Sequence, residues 1–383
     1  MSNTKHDRAT AEQWLLELTS IPTAAGREDR VIAWIREWVG GRDDLRLSCD
    51  ASGNLVVDRK DGGTPSATPL YITAHLDHPA FVVEKMMGDG RVEMGFRGGV
   101  RDAYFRDAPI VIYPSGGGAV RGRVESTEQQ EPYRRCVVRL EDGGEVGTGD
   151  IGVWALPDAE IVDGIAHTPA CDDLAALAAA LAAMEVIRGI EGAEHVRLLF
   201  TRAEEIGFIG AIAACRDRTM TPGAKVLALE NSRSFAESPI GGGPIVRVGD
   251  RMSTFSPALT AAVCAVCETL AKEAKEAGGE YKWQRRLMPG GACEATAFQA
   301  YGYEATCVCL PLGNYHNMAD LDLVERGDEA AVAHARCGRE YIGVEDYHGL
   351  IEMLIACATR LDEAPDVVAK MEKLYADKSF VLG

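Results

Sequence analysis

Five short segments place His, Asp or Glu directly after an apolar run: AHLDH at 74–78, ACDDL at 170–174, TRAEEIG at 201–207, ALENS at 228–232 and GNYHN at 313–317. Loops at strand ends present such residues to a shared cleft. Taken singly, the His75 to Asp77 spacing fits an ordinary turn, and a Glu204–Glu205 pair fits a solvated helix face. Taken together, they supply the parts of a dinuclear hydrolytic site. Such a site needs one carboxylate to bridge two cations about 3.5–4 Å apart, with terminal His and carboxylate ligands on each. It also needs a carboxylate that stays off the metals and takes the proton of the attacking water. Adjacent glutamates suit that division, one coordinating while its neighbour faces the water.

The elements that must hold these residues follow from the periodicity of the chain. Residues 10–39 carry apolar positions at three- and four-residue spacing and predict two helices broken at Ile21–Pro22. DLRLSCDASGNLVVDRK and PLYITAHLDHP predict strands around a Ser-Gly-Asn turn, ending in the buried strand LYITAH. From about Phe81 to Val162 come short β-prone pieces, APIVIYP, AVRGRVES, RRCVVRLE and IGVWALP, between glycine-rich or acidic turns. They predict a small antiparallel barrel or sandwich. Helical patterning resumes at DDLAALAAALAAMEVIRGI and then alternates with strands: VRLLFTRAEE, a helix at GFIGAIAAC, the strand KVLALENS and a long helix near residues 256–278. EATAFQAYG as helix, ATCVCLPLG as strand and a final helix, VEDYHGLIEMLIACATRLDEA, complete the series. The expected fold is α/β, a mixed, mostly parallel sheet flanked by helices, with the chemistry at strand carboxyl ends. A catalytic domain of residues 1–80 and 164–383 would carry an inserted all-β barrel of residues 81–163.

Composition narrows the function classes. A formal charge of -18 over 383 residues argues against a nucleic-acid partner or an anionic membrane, because phosphates would be repelled. No apolar run approaches the length of a membrane span, and the opening residues MSNTKHDRATAEQW are polar rather than leader-like. Eleven cysteines, an odd number in a long chain, fit a reducing cytoplasm better than a disulfide scaffold. Cys264 and Cys267 on one helix face, and Cys307 and Cys309 alternating in a strand, read as core fillers. His78 and His167 are expected to be surface or supporting residues, and His348 to sit on helix surface or at the core edge. The glycine runs GGGPIVR and PSGGGAVRG lack the Lys and Ser or Thr of a phosphate loop and read as turns.

The order His-x-Asp, Asp, Glu-Glu, Asp or Glu, His resembles that of the co-catalytic zinc exopeptidases. Within that superfamily, YITAHLDHPAFVV, ACDDLAAL, TRAEEIGFIGA, GGGPIVRVGD and GGACEATAFQAYG resemble the glutamyl-aminopeptidase and tetrahedral-aminopeptidase family, some of whose members are labelled endoglucanase-like. The β-rich block between His75 and Asp172 stands where that family inserts its small β-domain. The resemblance implies Asp172 as the bridging carboxylate, His75 and Glu230 as terminal ligands of one metal, and Glu205 and His316 as those of the other. It implies Glu204 as general base, and Asp77 as a support that accepts a hydrogen bond from the free ring nitrogen of His75. Two divalent ions are expected, zinc by default, with cobalt or manganese compatible. Removal of N-terminal residues from peptides, in a homo-oligomer ranging from dimer to dodecamer, is the implied activity. The chain departs from the family pattern at Pro79, at Leu174, where an arginine is usual, and at Glu294, where an aspartate is usual. Two alternatives follow: a deacylase or carboxypeptidase of the same superfamily, with Arg285 or Arg286 anchoring a substrate carboxylate, or a scaffold that binds metal without turnover.

Overall fold

A computed structural model of the chain describes residues 5–61, 68–141, 143–361 and 367–382. The chain opens on helices α1 (Arg8–Leu18) and α2 (Asp29–Gly40) and strands β1 (Leu45–Cys49), β2 (Leu55–Arg59) and β3 (Leu70–His75). Six strands follow: β4 (Ala80–Gly88), β5 (Arg91–Arg97), β6 (Pro109–Tyr113), β7 (Val120–Glu128), β8 (Arg134–Leu140) and β9 (Ile151–Trp154). Two short strands, β10 (Glu160–Val162) and β11 (Ile165–Thr168), lead into α3 (Leu174–Ile187), β12 (Val196–Thr201), α4 (Ile209–Arg216) and β13 (Lys225–Arg233). Next come β14 (Ile245–Gly249), α5 (Pro257–Glu276), β15 (Gln284–Leu287), α6 (Glu294–Ala300) and β16 (Glu304–Leu312). The last elements are α7 (Leu321–Glu325), α8 (Glu329–Ala333), β17 (Glu340–Gly343), α9 (Val344–Arg360) and α10 (Val367–Lys378).

The main sheet runs β1-β2-β12-β3-β13-β16-β14-β15. Its centre, β12, β3, β13 and β16, is parallel, while β2 and β14 join it antiparallel. All six residues of β3 are buried, as the uninterrupted apolar run LYITA requires of a strand covered on both faces. One face packs on α1, α2, α3, α5 and α9, and the other on α4 and α6. Helix α3 is built almost wholly of Ala and Leu, so it lies close against the sheet with no polar face to offer water. The parallel order brings the carboxyl ends of β3, β12, β13 and β16 to one edge.

The β-rich block closes into a barrel, β4-β5-β8-β7-β6-β9, rather than a sandwich. Its core is an aromatic cluster in which Phe81 lies 4.8 Å from both Phe96 and Trp154, edge to face. A third sheet, β10-β11-β17, ties the exit of the barrel to the end of the chain. Two expectations change here. The GGGPIVR stretch is not only a turn, since Ile245 to Arg247 enter the sheet as β14, and Arg285 and Arg286 lie on the edge strand β15. His348 is buried in α9, where its ring meets Glu12 and His6 of the N-terminal segment.

Candidate metal centre

His75 closes β3, Glu204 and Glu205 follow β12, Glu230 lies within β13, His316 follows β16, and Asp172 precedes α3. The fold brings all of these residues together. His75, Asp172 and Glu230 form one group, and Asp172, Glu205 and His316 a second, each with its candidate donor atoms within 4.8 Å of one another. Asp172 belongs to both. Its Oδ1 stands 3.4 Å from His75 Nε2 and its Oδ2 3.5 Å from His316 Nε2. His316 Nε2 to Glu205 Oε2 is 3.4 Å, and His75 Nε2 to Glu230 Oε1 is 3.9 Å. These spacings are long for hydrogen bonds between such atoms. Three of the four match the edges of a tetrahedron around a cation with bonds of about 2.0–2.2 Å, which are roughly 3.3–3.6 Å, and the His75–Glu230 spacing is somewhat wider. Asp172 Oδ1 and Glu205 Oε1 are buried with no hydrogen-bond partner, so two carboxyl oxygens at the centre of these groups are left unsatisfied. The residues fit a pair of divalent cations.

The tautomers agree with that reading. His75 Nδ1–H donates to the Asp77 carbonyl at 3.0 Å, and His316 Nδ1–H donates to the Gly99 carbonyl at 2.7 Å. In the neutral imidazole each Nε2 would then carry its lone pair toward the gap, as a metal ligand requires. Gly99 follows β5, so the barrel segment itself orients one imidazole. At Asp77 the partner differs from expectation. The carboxylate lies 3.5 Å from His75 Nδ1 and instead accepts the backbone N–H groups of Glu204 at 2.9 Å and Glu205 at 3.1 Å. His78, fully buried, is no surface residue: its Nδ1 is 2.5 Å from the Asp172 carbonyl and its Nε2 3.0 Å from Asn317 Oδ1.

Further buried carboxylates hold backbone rather than facing the gap. Glu28 accepts from Ala203 N at 3.0 Å and from Arg202 Nε at 2.8 Å, pinning the turn in which Ala203 adopts φ +54° just ahead of Glu204. Asp173 accepts from His75 N at 3.3 Å and from Asn231 Nδ2 at 2.9 Å. Glu340 accepts from Cys171 N, Asp172 N and His316 N at 2.6, 3.0 and 2.8 Å. Neither Glu28 nor Glu340 stands out in the sequence, whereas Asp173 lies in the ACDDL segment.

Burial, reinforced by Glu230, Glu294 and Asp77, pushes the Glu204 carboxyl well above its usual range, although His75 opposes the shift. Glu294 at the start of α6 is buried with neither carboxylate oxygen hydrogen-bonded, and burial raises it to about 7. A cleft of about 890 Å³ opens beside Glu230 and His316. Its wall includes Arg247, only 3% exposed, which donates to Ser232 Oγ at 3.1 Å and leaves Nε without a partner.

Residues 140–328 match the family model described as M42 glutamyl aminopeptidase. The match covers just under half of the chain, which over that span is similar to M42 glutamyl aminopeptidases. Metal-dependent aminopeptidase activity is what this family carries, so the chain is a peptide hydrolase and the deacylase or carboxypeptidase alternative is not favoured. The M42 stretch contains Asp172, Glu204, Glu205, Glu230 and His316, while His75 and Asp77 lie ahead of it. No curated protein matches the chain. Among solved structures, an aminopeptidase from the archaeon Desulfurococcus kamchatkensis is similar at 19% identity, with a TM-score of 0.74 over 94% of this chain and 99% of that one. The TET1 peptidase of Pyrococcus horikoshii, described as assembling into a tetrahedron or a large octahedral shell, is 19% identical, with a TM-score of 0.68 over 92% and 99%. A Thermotoga maritima protein titled endoglucanase is 18% identical, with a TM-score of 0.65 over 92% and 99%. At such identities these three establish the shared fold.

Proposed function

We propose that the chain removes N-terminal residues from peptides at a dinuclear centre in which Asp172 bridges, His75 and Glu230 hold one ion, and Glu205 and His316 hold the other. The observation that carries this reading is the set of four His–carboxylate spacings between 3.4 and 3.9 Å around Asp172. Two divalent cations, zinc by default and cobalt or manganese equally suited to these donors, would supply a water of lowered pKa and a polarised scissile carbonyl. Glu204, beside but outside the two ligand groups around Asp172, takes the proton of the attacking water. Its raised affinity for that proton suits it to hold the proton and pass it to the departing amine. Arg247 meets the substrate from the cleft wall, where its unpartnered donor fits an acidic side chain better than an apolar one.

The TET1 peptidase assembles into shells, and we extend homo-oligomerisation to this chain, with the barrel of residues 81–163 contributing contacts. No helix among the described residues is long and apolar enough to cross a membrane, and a cytoplasmic site of action is the reading we adopt. The test is Glu204→Gln. It should keep both metals and lose turnover on amino-acid p-nitroanilides, with glutamyl substrates favoured over leucyl ones in the wild type and N-acyl amino acids untouched. Retained activity in that variant would remove Glu204 from the role of base.

A further inference from the structure

We infer that Glu340 is a positioning residue that braces the Asp172 loop against the His316 loop, so that the two side chains can share one cation. The inference rests on the metal-centre reading above. Glu340 opens β17, is 0% exposed, and touches neither the gap nor the cleft. One carboxylate oxygen accepts the N–H groups of Cys171 and Asp172, at 2.6 and 3.0 Å, and the other accepts that of His316, at 2.8 Å. A single rigid side chain thus fixes the backbone of two segments far apart in sequence, whose side chains approach to 3.5 Å at Asp172 Oδ2 and His316 Nε2.

The loop that carries His316 needs such a splint. Asn314, His316 and Asn317 all adopt φ between +52° and +63°, a left-handed conformation that non-glycine residues hold only when their surroundings enforce it. The strand that bears Glu340 provides the rest of the enforcement. Gly313 and Tyr341 exchange backbone hydrogen bonds at 2.9 and 3.2 Å, and Gly338 N donates to the Asn317 carbonyl at 2.8 Å. On the other side, β11 pairs with β17 through Thr168 and Glu340, just ahead of Asp172. The carboxylate is the one chemical group that serves all three donors, because it accepts at both ends and donates at neither. An amide in its place would turn an NH₂ toward either the Asp172 side or the His316 side, setting donor against donor.

The experiment is titration of Zn²⁺ into the metal-stripped full-length protein by calorimetry, for the wild type, Glu340→Gln and Glu340→Asp, with thermal melts of the three stripped proteins. The wild type should bind two ions. Glu340→Gln should weaken the ion that depends on His316 and Glu205 by about 10–100-fold, with a smaller loss at the ion held by His75 and Glu230, which shares only Asp172 with the braced loops. Glu340→Asp keeps the charge but is too short to reach both loops, so it should show a smaller loss at the same ion. Two unchanged affinities in Glu340→Gln would overturn the brace, as would equal loss of both ions accompanied by a collapse of the melting temperature in both variants. A wild type that binds no metal would instead bring down the metal-centre reading and this inference with it.

Discussion

Asp77→Asn separates two tasks that the motif alone would merge. The Asp77 carbonyl orients His75, whereas its carboxylate holds the N–H groups of Glu204 and Glu205, at 2.9 and 3.1 Å. The substitution leaves the carbonyl in place. Asparagine keeps one accepting oxygen and turns an NH₂ toward the other backbone N–H, so one charge-assisted hydrogen bond is lost where nothing else can replace it. Such a bond is worth about 1.5–3 kcal/mol, or roughly 10- to 150-fold if the whole loss falls on the placement of the general base. The expected result is a fall in kcat of that order, KM nearly unchanged, and wild-type occupancy of the ion held by His75 and Glu230. Metal content is read by elemental analysis and kcat on a p-nitroanilide substrate at saturating metal. If occupancy at the His75 ion drops while turnover per loaded enzyme stays normal, Asp77 acts through the histidine and the argument from the Glu204–Glu205 turn is wrong.

Three other outcomes follow from the packing and the charges. Gly210→Ala places a methyl group 2.3 Å from the Arg202 carbonyl oxygen and 2.4 Å from its nitrogen, so denaturant melts should show a loss of about 1–3 kcal/mol together with a drop in kcat, because the displaced backbone leads directly to Glu204. Removing divalent ions with a chelator should lower the melting temperature, and adding back Zn²⁺ at a hundredfold excess over Kd should recover about 2.7 kcal/mol; an unchanged melt would contradict a folded-state metal site. His348 is held below its usual value of 6.5, chiefly by burial, so on acidification the unfolded chain takes up this proton before the folded one does. Its contribution is therefore present above about pH 6.5 and lost as pH falls below it, and His348→Gln should flatten the decline in stability between pH 7.5 and 5.5 seen by urea unfolding.

What was legible in the sequence was local. The run LYITA before His75, and VRLLFT before Glu204 and Glu205, announce strands whose ends must carry the polar residues, and the Ala-Leu pattern of α3 announces a helix against the sheet. The barrel showed as a loss of helical period, though closure could not be told from stacking until the pairing of β4 with β9 was seen. Strands β14 and β15 were hidden because glycine dominates one approach and two arginines occupy the other. Helices α7 and α8, at five residues each, are too short to show a period. The supporting residues were hidden for a different reason. Glu28, Glu340 and the Gly99 carbonyl act through bonds to or from the backbone, and a backbone amide looks the same under every side chain.

The departures from the family pattern acquire physical content in the same way. Leu174, standing where an arginine was expected, is the first residue of α3, fully buried in the main core, so it serves packing and not the bridge. Pro79 follows a histidine that grips the Asp172 carbonyl, and its ring fills the space beside Gly98, where even a Cβ would come within 2.7 Å. The acidity around the gap divides by what each oxygen meets. Asp77, Glu28 and Glu340 are engaged by N–H groups, and no such donors remain for Asp172 Oδ1 or Glu205 Oε1. An unsatisfied buried acceptor costs about 1–3 kcal/mol, more when charged. A fold that ties down its supporting carboxylates while leaving the central ones bare favours positive charge between them, and the two imidazoles, turned with Nδ1 toward carbonyls, are placed to offer Nε2 to a cation there. The hydrogen-bond pattern thus supports the metal-centre proposal by a route separate from the motif that first suggested it.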